Sequence, residues 1–300
     1  MKKRYQTQNA VDTRDAFIML APFLLLFVFF IVAPVVISIV LGFTYFDMIQ
    51  MPSFVGLDNY IQLFLNDDGF IKALSNTMVF ACITGPICYL ISFIVAWMIS
   101  FQKRALRTLI TFLFYAPSIS GNMYVIWSYI FSGDSYGVIN AILMQFGFIS
   151  TPIQWLTDAD YILSVIIVVQ IWMSLGTGFL SFIAGLQNID KTMYEAGEID
   201  GIKNRWQQLF YITMPSMGPQ LQFGAVMQIA SSFSVGSIAV ALVGFPSTDD
   251  AANTIVTHIM DYGNLRYELG YACAISTVLF IIMMAANALI TKLLKIVTKE

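Results

Sequence analysis

Residues 17–43 read FIMLAPFLLLFVFFIVAPVVISIVLGF, a run of 27 residues without a charged side chain. About 20 apolar residues in a helix suffice to cross the hydrocarbon core of a bilayer, so this run predicts a membrane span. The basic Met1–Arg4 segment before it has the charge of a signal peptide. The apolar run, however, is longer than the roughly 7–15 residues of a signal peptide's apolar region. We therefore expect a first span and not a cleaved leader.

The composition of the whole chain extends this interpretation. Hydrophobic residues make up 58% of the chain and charged residues only 11%, whereas soluble domains carry about 25% charged residues. So large an apolar excess cannot be hidden inside one water-soluble core. The net charge of −3, without a basic patch interleaved with aromatic residues, argues against nucleic-acid binding. The predicted fold class is an all-α, polytopic membrane helix bundle.

Five further apolar segments are long enough to span a bilayer, which gives six transmembrane helices in all. The predicted spans are residues 17–43, 74–100, 107–131, 161–186, 217–244 and 269–294. Pro34, Pro86 and Pro117 lie inside them, and membrane helices tolerate such kinks when neighbouring groups satisfy the freed carbonyls. Because no linker or internal repeat interrupts the chain, we expect one transmembrane domain over residues 1–300.

The basic residues predict the orientation. Thirteen of the fifteen fall in one set of alternate connecting segments: Lys2, Lys3, Arg4, Arg14, Lys103, Arg104, Arg107, Lys191, Lys203, Arg205, Lys292, Lys295 and Lys299. The other set contains only Lys72 and Arg266. Lysine and arginine are retained on the cytoplasmic side. Both termini are therefore expected in the cytoplasm.

The spans lack the groups that other membrane functions require. No Asp, Glu, Lys, Arg or His lies near a span centre, which disfavours an ion-coupled carrier without excluding backbone-coordinated sodium. The chain has no GxxxxGK[ST] phosphate loop and no nucleophile paired with a base, so neither ATP binding by that route nor an enzymatic activity is predicted. Cys82, Cys88 and Cys273 are expected to be packing residues, and no metal site is expected. The single histidine, His258, is expected on the surface of a short helix in an outside loop.

Uncharged polar and aromatic side chains lie instead within the third, fourth and fifth spans. Amides and hydroxyls match the donors and acceptors of sugar hydroxyls, and aromatic faces pack on pyranose rings. An alternative is that such groups only join helices, by hydrogen bonds worth about 0.6 kcal/mol each. The predicted substrate-pathway residues are Tyr115, Asn122, Gln170, Trp172, Ser174, Gln228, Ser231 and Ser232.

The longest cytoplasmic connection, residues 188–215, has a helical apolar pattern. Its stripe comprises Ile199, Ile202, Trp206, Leu209 and Phe210, at three- and four-residue spacing. This pattern predicts an amphipathic helix parallel to the membrane. Such a helix could simply cover the base of the bundle.

Two stretches of this connection carry a family resemblance. Residues 194–201 read YEAGEIDG and residues 212–215 read ITMP. They resemble the EAA loop of bacterial ABC importer permeases, in which Glu-Ala-Ala is followed after three residues by Gly and later by Ile-x-Leu-Pro. Gly197 and Met214 depart from that pattern, and the spacing is one residue longer.

This resemblance implies a coupling helix between spans four and five, which docks in a groove of a cytoplasmic ATPase. The motif assigns ATPase coupling to Glu195, Ala196, Gly197, Asp200, Gly201 and Pro215. Glu195 would pair with a basic group of the ATPase. Gly201 is expected to be glycine because a Cβ would clash in a tight turn.

A second stretch narrows the subclass. Residues 54–60, FVGLDNY, and the following Leu63 and Phe64 are similar to the start of the first of two paired permeases in maltose-type carbohydrate importers. An ordinary loop with a turn at Gly56 and a helix cap at Asp58 is the alternative.

Together the resemblances imply a sugar permease of the bacterial cytoplasmic membrane that works by alternating access. Its partners would be a second homologous permease, two cytoplasmic ATPase subunits, an extracytoplasmic sugar-binding protein and membrane lipid. ATP and Mg²⁺ would bind to the ATPase subunits, and this chain would bind no cofactor. The alternatives are a stand-alone secondary carrier and an importer of another solute, such as glycerol phosphate.

Overall fold

The computed structural model describes residue 15, residues 17–120 and residues 123–298. The regular secondary structure of these residues is helical apart from one small hairpin of strands β1 (Thr44–Tyr45) and β2 (Ser53–Phe54). The helices are α1 (Phe17–Leu41), α2 (Asp58–Leu65), α3 (Asp68–Ser100), α4 (Arg104–Ile119), α5 (Tyr124–Ile130), α6 (Val138–Gln145), α7 (Ala159–Met173), α8 (Thr177–Asn188), α9 (Lys191–Ile199), α10 (Arg205–Gln208), α11 (Gly218–Phe233), α12 (Gly236–Val243), α13 (Ile255–Met260) and α14 (Leu269–Thr298).

The long apolar helices coincide with the predicted spans. Within the described ranges, four segments are long and apolar enough to cross a membrane: Phe17–Leu41, Asp68–Ser100, Ala159–Asn188 and Leu269–Lys295. Two bent pairs, α4 with α5 and α11 with α12, bring the number to as many as six if each pair forms one span. A helical, multi-span architecture is thereby confirmed. Helix α3 begins before the predicted second span of residues 74–100, because Asp67 accepts a hydrogen bond from the Phe70 N–H (2.9 Å) and caps the helix there.

The bundle packs around α3, α8, α11 and α14. Helices α8 and α11 approach closely through glycines, since a Cβ on Gly178 would lie 3.4 Å from the Gly224 carbonyl oxygen. Gly224 in turn has the Phe182 ring against its Cα, where a side chain would overlap the ring. Small residues at such crossings let membrane helices pack backbone to backbone. In contrast, no residue of α1 is buried, so this helix presents its apolar surface to lipid or to another chain.

The hairpin after α1 is held by the segment that resembles the carbohydrate permeases. Asn59 is buried and donates from Nδ2 to the carbonyl oxygens of Gly42 (3.0 Å) and Thr44 (2.9 Å). Gly56 has φ +65°, a conformation that favours glycine. These contacts fix the exit of α1 against the start of α2.

A buried polar cluster joins residues that are far apart in the sequence, on the side of the bundle that is predicted to lie outside. His258 donates from Nε2 to Asp67 (2.9 Å), and the Tyr271 hydroxyl donates to the same carboxylate oxygen (2.7 Å). His258 is only 5% exposed, so the expectation of a surface histidine is wrong. The physical reason is that α13 folds inward: the Ile255 N–H bonds to the Thr77 hydroxyl of α3 (3.0 Å).

The ionised form of Asp67 is favoured in this cluster. Burial alone would raise the pKa of the carboxyl, but hydrogen bonds from Tyr271, His258 and the Phe70 backbone outweigh burial and lower it. A lowered pKa means that the carboxylate stabilises the fold above its ordinary value of 3.8. That stabilisation is lost as the pH falls through the lowered pKa.

We predict that Asp67→Ala destabilises the protein by about 2–3 kcal/mol at neutral pH, because it leaves the Tyr271 hydroxyl, the His258 ring and the Phe70 N–H without their acceptor. The difference from the unchanged protein should shrink below about pH 4, as Asp67 becomes protonated. Thermal unfolding of the purified protein across this pH range measures both effects. Asp68→Ala, one residue on and exposed, is the matched control. Equal unfolding temperatures for the two variants would contradict the role of the cluster.

Candidate functional site

A cavity of about 490 Å³ lies where three helical segments are interrupted. Its wall includes Ser118 and Tyr124, on either side of the α4–α5 interruption, Gly176 between α7 and α8, and Ser234 between α11 and α12. Interrupted backbone at membrane depth is tolerated only where it is buried in protein or lines a water-filled cavity. The three interruptions therefore mark one place in the bundle as a polar chamber.

The interruptions leave backbone groups available for a ligand. Gly176, which precedes α8, has φ −99° and ψ −143° and provides no side-chain cap. Val235, which precedes α12, likewise provides none. The first N–H groups of a helix have no partner within it, and in membrane transporters such half-helix ends commonly face a substrate.

Among the described residues, the cavity wall combines uncharged polar side chains with apolar ones such as Met173, Met227 and Ile238. Gln170 of α7 donates to the Ser231 hydroxyl of α11 (2.9 Å), which ties two walls together. Gln228 is 8% exposed, and its Nε2 has no hydrogen-bond partner among the described residues. A buried donor without a partner costs about 1–3 kcal/mol. Gln228 is therefore ready to donate to a molecule that enters the cavity.

The structure brings together five of the eight predicted pathway residues: Tyr115, Gln170, Ser174, Gln228 and Ser231 line the cavity. Trp172 is not in its wall and packs edge to face on Trp127, with ring centroids 5.3 Å apart. Ser232 is also outside the wall and donates to the Gln228 carbonyl (2.9 Å). Asn122 lies outside the described residues.

Other residues line the cavity without having been predicted as pathway residues. They include Ser118, Tyr124, Met173, Gly176, Thr177, Gly178, Met227, Ser234 and Ser237. The available signal was the run of small and hydroxyl residues in Gly176–Gly178 and Ser231–Ser237, which interrupts otherwise apolar spans. Such runs predict helix breaks more directly than they predict individual contacts.

A second functional region, the coupling segment (residues 188–215), begins with a short capped helix. The Asp190 side chain accepts from the Thr192 N–H (3.0 Å) at the start of α9, a bond that lowers the pKa of Asp190. At the other end, Gly201 N–H bonds to the Glu198 carbonyl and Ile202 N–H to the Gly197 carbonyl. This paired arrangement is a Schellman motif, which terminates α9.

The turn after α9 requires glycine at position 201 for its backbone conformation and not because a Cβ would clash there. Its φ is +93°, but a Cβ at this position would meet nothing within 4 Å. The expectation of a clash is wrong, and the requirement is a left-handed backbone. Close packing occurs instead at Gly197, which is buried with the Ile212 side chain against its Cα.

The coupling segment then reverses direction, so its apolar residues do not form one stripe. Ile199 is 88% exposed at the end of α9, whereas Leu209 is buried after α10. The predicted apolar stripe extends across a turn at residues 200–204, where the spacing of a continuous helix does not apply. The Tyr194 hydroxyl lies 3.0 Å from the Thr213 hydroxyl and links the two arms. Trp206 packs on Trp97 of α3, with ring centroids 5.1 Å apart.

The motif residues project from this anchored turn. Glu195, Ala196, Asp200, Gly201 and Pro215 are exposed, and Gly197 is buried. The Glu195 carboxylate has no ion-pair partner among the described residues. The arrangement offers a rigid, acidic helix to a partner of complementary charge.

The sequence is similar to a family of known membrane proteins. A family model described as binding-protein-dependent transport system inner membrane component matches residues 89–299. A probable ABC transporter permease protein YesP of Bacillus subtilis is 30% identical, with 91% of this chain and 87% of the relative covered. The lactose transport system permease protein LacF of Rhizobium radiobacter is 29% identical (94% and 92% covered). The arabinooligosaccharides transport system permease protein AraP of Bacillus subtilis is 27% identical (91% and 86% covered).

Solved structures share the fold. A chain of a bacterial ABC transporter involved in the import of the acidic polysaccharide alginate superposes with a TM-score of 0.72 at 24% identity, covering 95% of this chain and 98% of that one. A chain of bacterial alginate ABC transporter in complex with alginate pentasaccharide-bound periplasmic protein gives 0.73 at 24% identity, covering 96% and 98%. The helix arrangement is thus shared with these alginate transporter chains.

We predict that Gly201→Ala loosens α9, because alanine at a φ of +93° costs about 1–2 kcal/mol. Gly201→Asn should cost less, since asparagine tolerates the left-handed region. Hydrogen exchange of the amides in α9 measures the effect. We expect the fastest exchange with alanine at position 201, slower exchange with asparagine and the slowest with the natural glycine. Equal protection in all three proteins would contradict the conformational role.

Proposed function

Because this chain belongs to the family of binding-protein-dependent transport system inner membrane components, we propose that it conducts a sugar or oligosaccharide into the cell. It is a multi-pass protein of the cytoplasmic membrane and a transport subunit of an ABC importer, not an enzyme. The observation that carries the sugar proposal is the cavity at the three helix interruptions, whose polar side chains among the described residues are amides, hydroxyls and tyrosine rings without a charge.

The chemistry of the cavity supports a neutral cargo. Gln170 and Gln228 supply both donors and acceptors, as do the serine hydroxyls, and a sugar hydroxyl uses both. Tyr115 and Tyr124 supply aromatic rings. Two relatives are named for transport of lactose and of arabinooligosaccharides, which adds to the case for a sugar. A phosphate-bearing cargo such as glycerol phosphate is less well matched, since none of the described residues in the cavity wall is Lys or Arg.

The coupling segment is proposed to receive the movement of a separate motor. Its exposed Glu195 would pair with a basic residue of a cytoplasmic ATPase, and Ala196, Asp200 and Pro215 would lie in or beside that contact. In this proposal the chain has six spans with both termini in the cytoplasm, which would put the segment on the ATPase side. The excess of lysine and arginine in the same set of connecting segments supports this orientation.

The proposed assembly contains a second permease, two ATPase subunits and an extracytoplasmic sugar-binding protein. The exposed apolar surface of α1 and the open side of the cavity are suited to a second permease. ATP binding would close the ATPases and turn the cavity outward, and hydrolysis would return it inward. Nucleotide shifts such an equilibrium only through its different affinity for the two states.

We predict that Glu195→Ala in the reconstituted complete transporter reduces ATP-dependent sugar uptake at least tenfold, because the coupling contact is lost, while the subunit stays in the complex. Glu198→Ala, an exposed glutamate on the same helix, is the matched control and should retain uptake. Normal uptake by Glu195→Ala would remove the coupling role. Accumulation of solute by this chain alone under an ion gradient would establish the secondary-carrier alternative instead.

We predict that Gln228→Leu weakens sugar transport while leaving the unfolding temperature unchanged or higher, because it removes a buried donor without a partner. Gln220→Leu, on the same helix but outside the cavity wall, is the control for a general effect on α11. Uptake rates over a range of sugar concentrations, together with thermal unfolding, separate the two roles. A lowered unfolding temperature with unchanged uptake would mean that Gln228 only joins helices.

A further inference from the structure

A second pocket of about 440 Å³ lies between the membrane helices and the coupling segment. Its wall contains three basic side chains, Arg107, Lys191 and Arg205, from α4, α9 and α10. Trp97 and Phe101, at the end of α3, supply aromatic rings. The sugar pathway does not use these residues, and the coupling motif accounts for none of the three cations.

The cations of this basic pocket have no acidic partner within the described residues. The two ion pairs among the described residues are His258 with Asp67 and Arg266 with Asp261. Both lie away from this pocket, in the buried cluster around Asp67 or beside it. Arg205 is nevertheless held in place: it donates to Gln208 Oε1 (3.0 Å), and its guanidinium lies 4.9 Å from the Phe101 ring centroid. Arg107 is partly buried and Arg205 is held in place, and such cations without a counterion favour an anion between them.

The start of α4 adds to this preference. Its first turn contains Arg104 and Arg107, and Lys103, which precedes the helix, provides no side-chain cap. The free N–H groups and the positive end of the helix dipole therefore lie close to the basic side chains. Because Arg107 is only partly exposed, its charge is less screened by water than that of a surface arginine.

A groove continues from the basic pocket along α4. It has a volume of about 420 Å³ and shares Arg107 and Gln187 with the pocket. Arg104 and Arg107 lie at its basic end, and Phe112, Leu180 and Ile183 line it further along. No residue of α4 is buried, so the groove is bounded by a helix that packs only lightly on the bundle. The wall also includes Thr108 and Thr111, which lie between the basic residues and Phe112 in the sequence of α4. A groove with a basic end and apolar side chains further along matches a charged headgroup joined to an acyl chain.

We propose that the basic pocket binds the phosphate group of an anionic phospholipid of the cytoplasmic leaflet, with an acyl chain along α4. Basic pockets between membrane helices on this side recognise anionic headgroups. The lipid would lie between the end of α3 and the coupling segment, and would brace the segment against the bundle. The proposal takes from the proposed function only the orientation of the chain.

The test uses the complete transporter in nanodiscs of phosphatidylcholine, with and without phosphatidylglycerol. Native mass spectrometry and a lipid titration measure the phosphatidylglycerol that the complex retains. We expect Arg104→Gln with Arg107→Gln to lower its apparent affinity about thirtyfold. Lys292→Gln with Lys295→Gln removes the same charge on the same proposed side, outside both cavities, and should change it less than threefold. Equal retention by the arginine variant and the unchanged transporter would overturn the proposal.

Two further arms identify the occupant independently of transport activity. Photoactivatable phosphatidylglycerol should label peptides of α4 or α8 in the unchanged transporter, which tests the site even if the arginine variant does not assemble. Labelling confined to other helices would overturn the proposal. Glycerol 1-phosphate added to the nanodiscs that contain phosphatidylglycerol should not compete with this lipid for the basic pocket. Competition by it would assign the pocket to a soluble phosphate, and lipid binding only after removal of the ATPase subunits would assign it to an acidic ATPase side chain.

Discussion

The bilayer requires every backbone N–H and C=O to find a partner within the protein, and this requirement decides where the chain can depart from helix. Interruptions occur near Ser120, Gly176 and Ser234, and residues beside all three line one cavity. Scattered interruptions facing lipid would each cost several kcal/mol. Gathering them around one aqueous chamber lets water or a ligand satisfy the free groups. The polar side chains of the site are thus a consequence of the same constraint as the helices.

Regular patterns in the sequence predicted the regular parts of the structure. Apolar length predicted the helices that can span a membrane, and the family resemblance implied a short helix that includes Glu195. Face assignment within a span was also available in principle. Gln170 and Ser174 are four residues apart and share a helix face, whereas Trp172 points about 200° away from Gln170. Applying this geometry would have removed Trp172 from the expected cavity wall.

One feature that the sequence did not reveal, the burial of His258, depends on a contact between distant residues. His258 reads as a loop histidine, and its partner Asp67 is 191 residues away. No local pattern signals that pairing. The conformation of Gly201 is local, but glycine alone does not distinguish a positive φ from close packing. The structure assigns the first role to Gly201 and the second to Gly197.

The connection between the two functional regions follows from the helices that flank the coupling segment. Helix α8 runs 12 residues from the cavity to the start of the segment, and α11 runs 16 residues from its end back to the cavity. At 1.5 Å per residue these are rods of about 18 and 24 Å. They contact each other through Gly178 and Gly224, so they pack backbone to backbone with little side chain between them. A push on the segment would therefore move both rods together and displace Thr177 and Ser231 in the same cavity wall. Closely packed helices transmit such a displacement because dense packing leaves little room for local deformation.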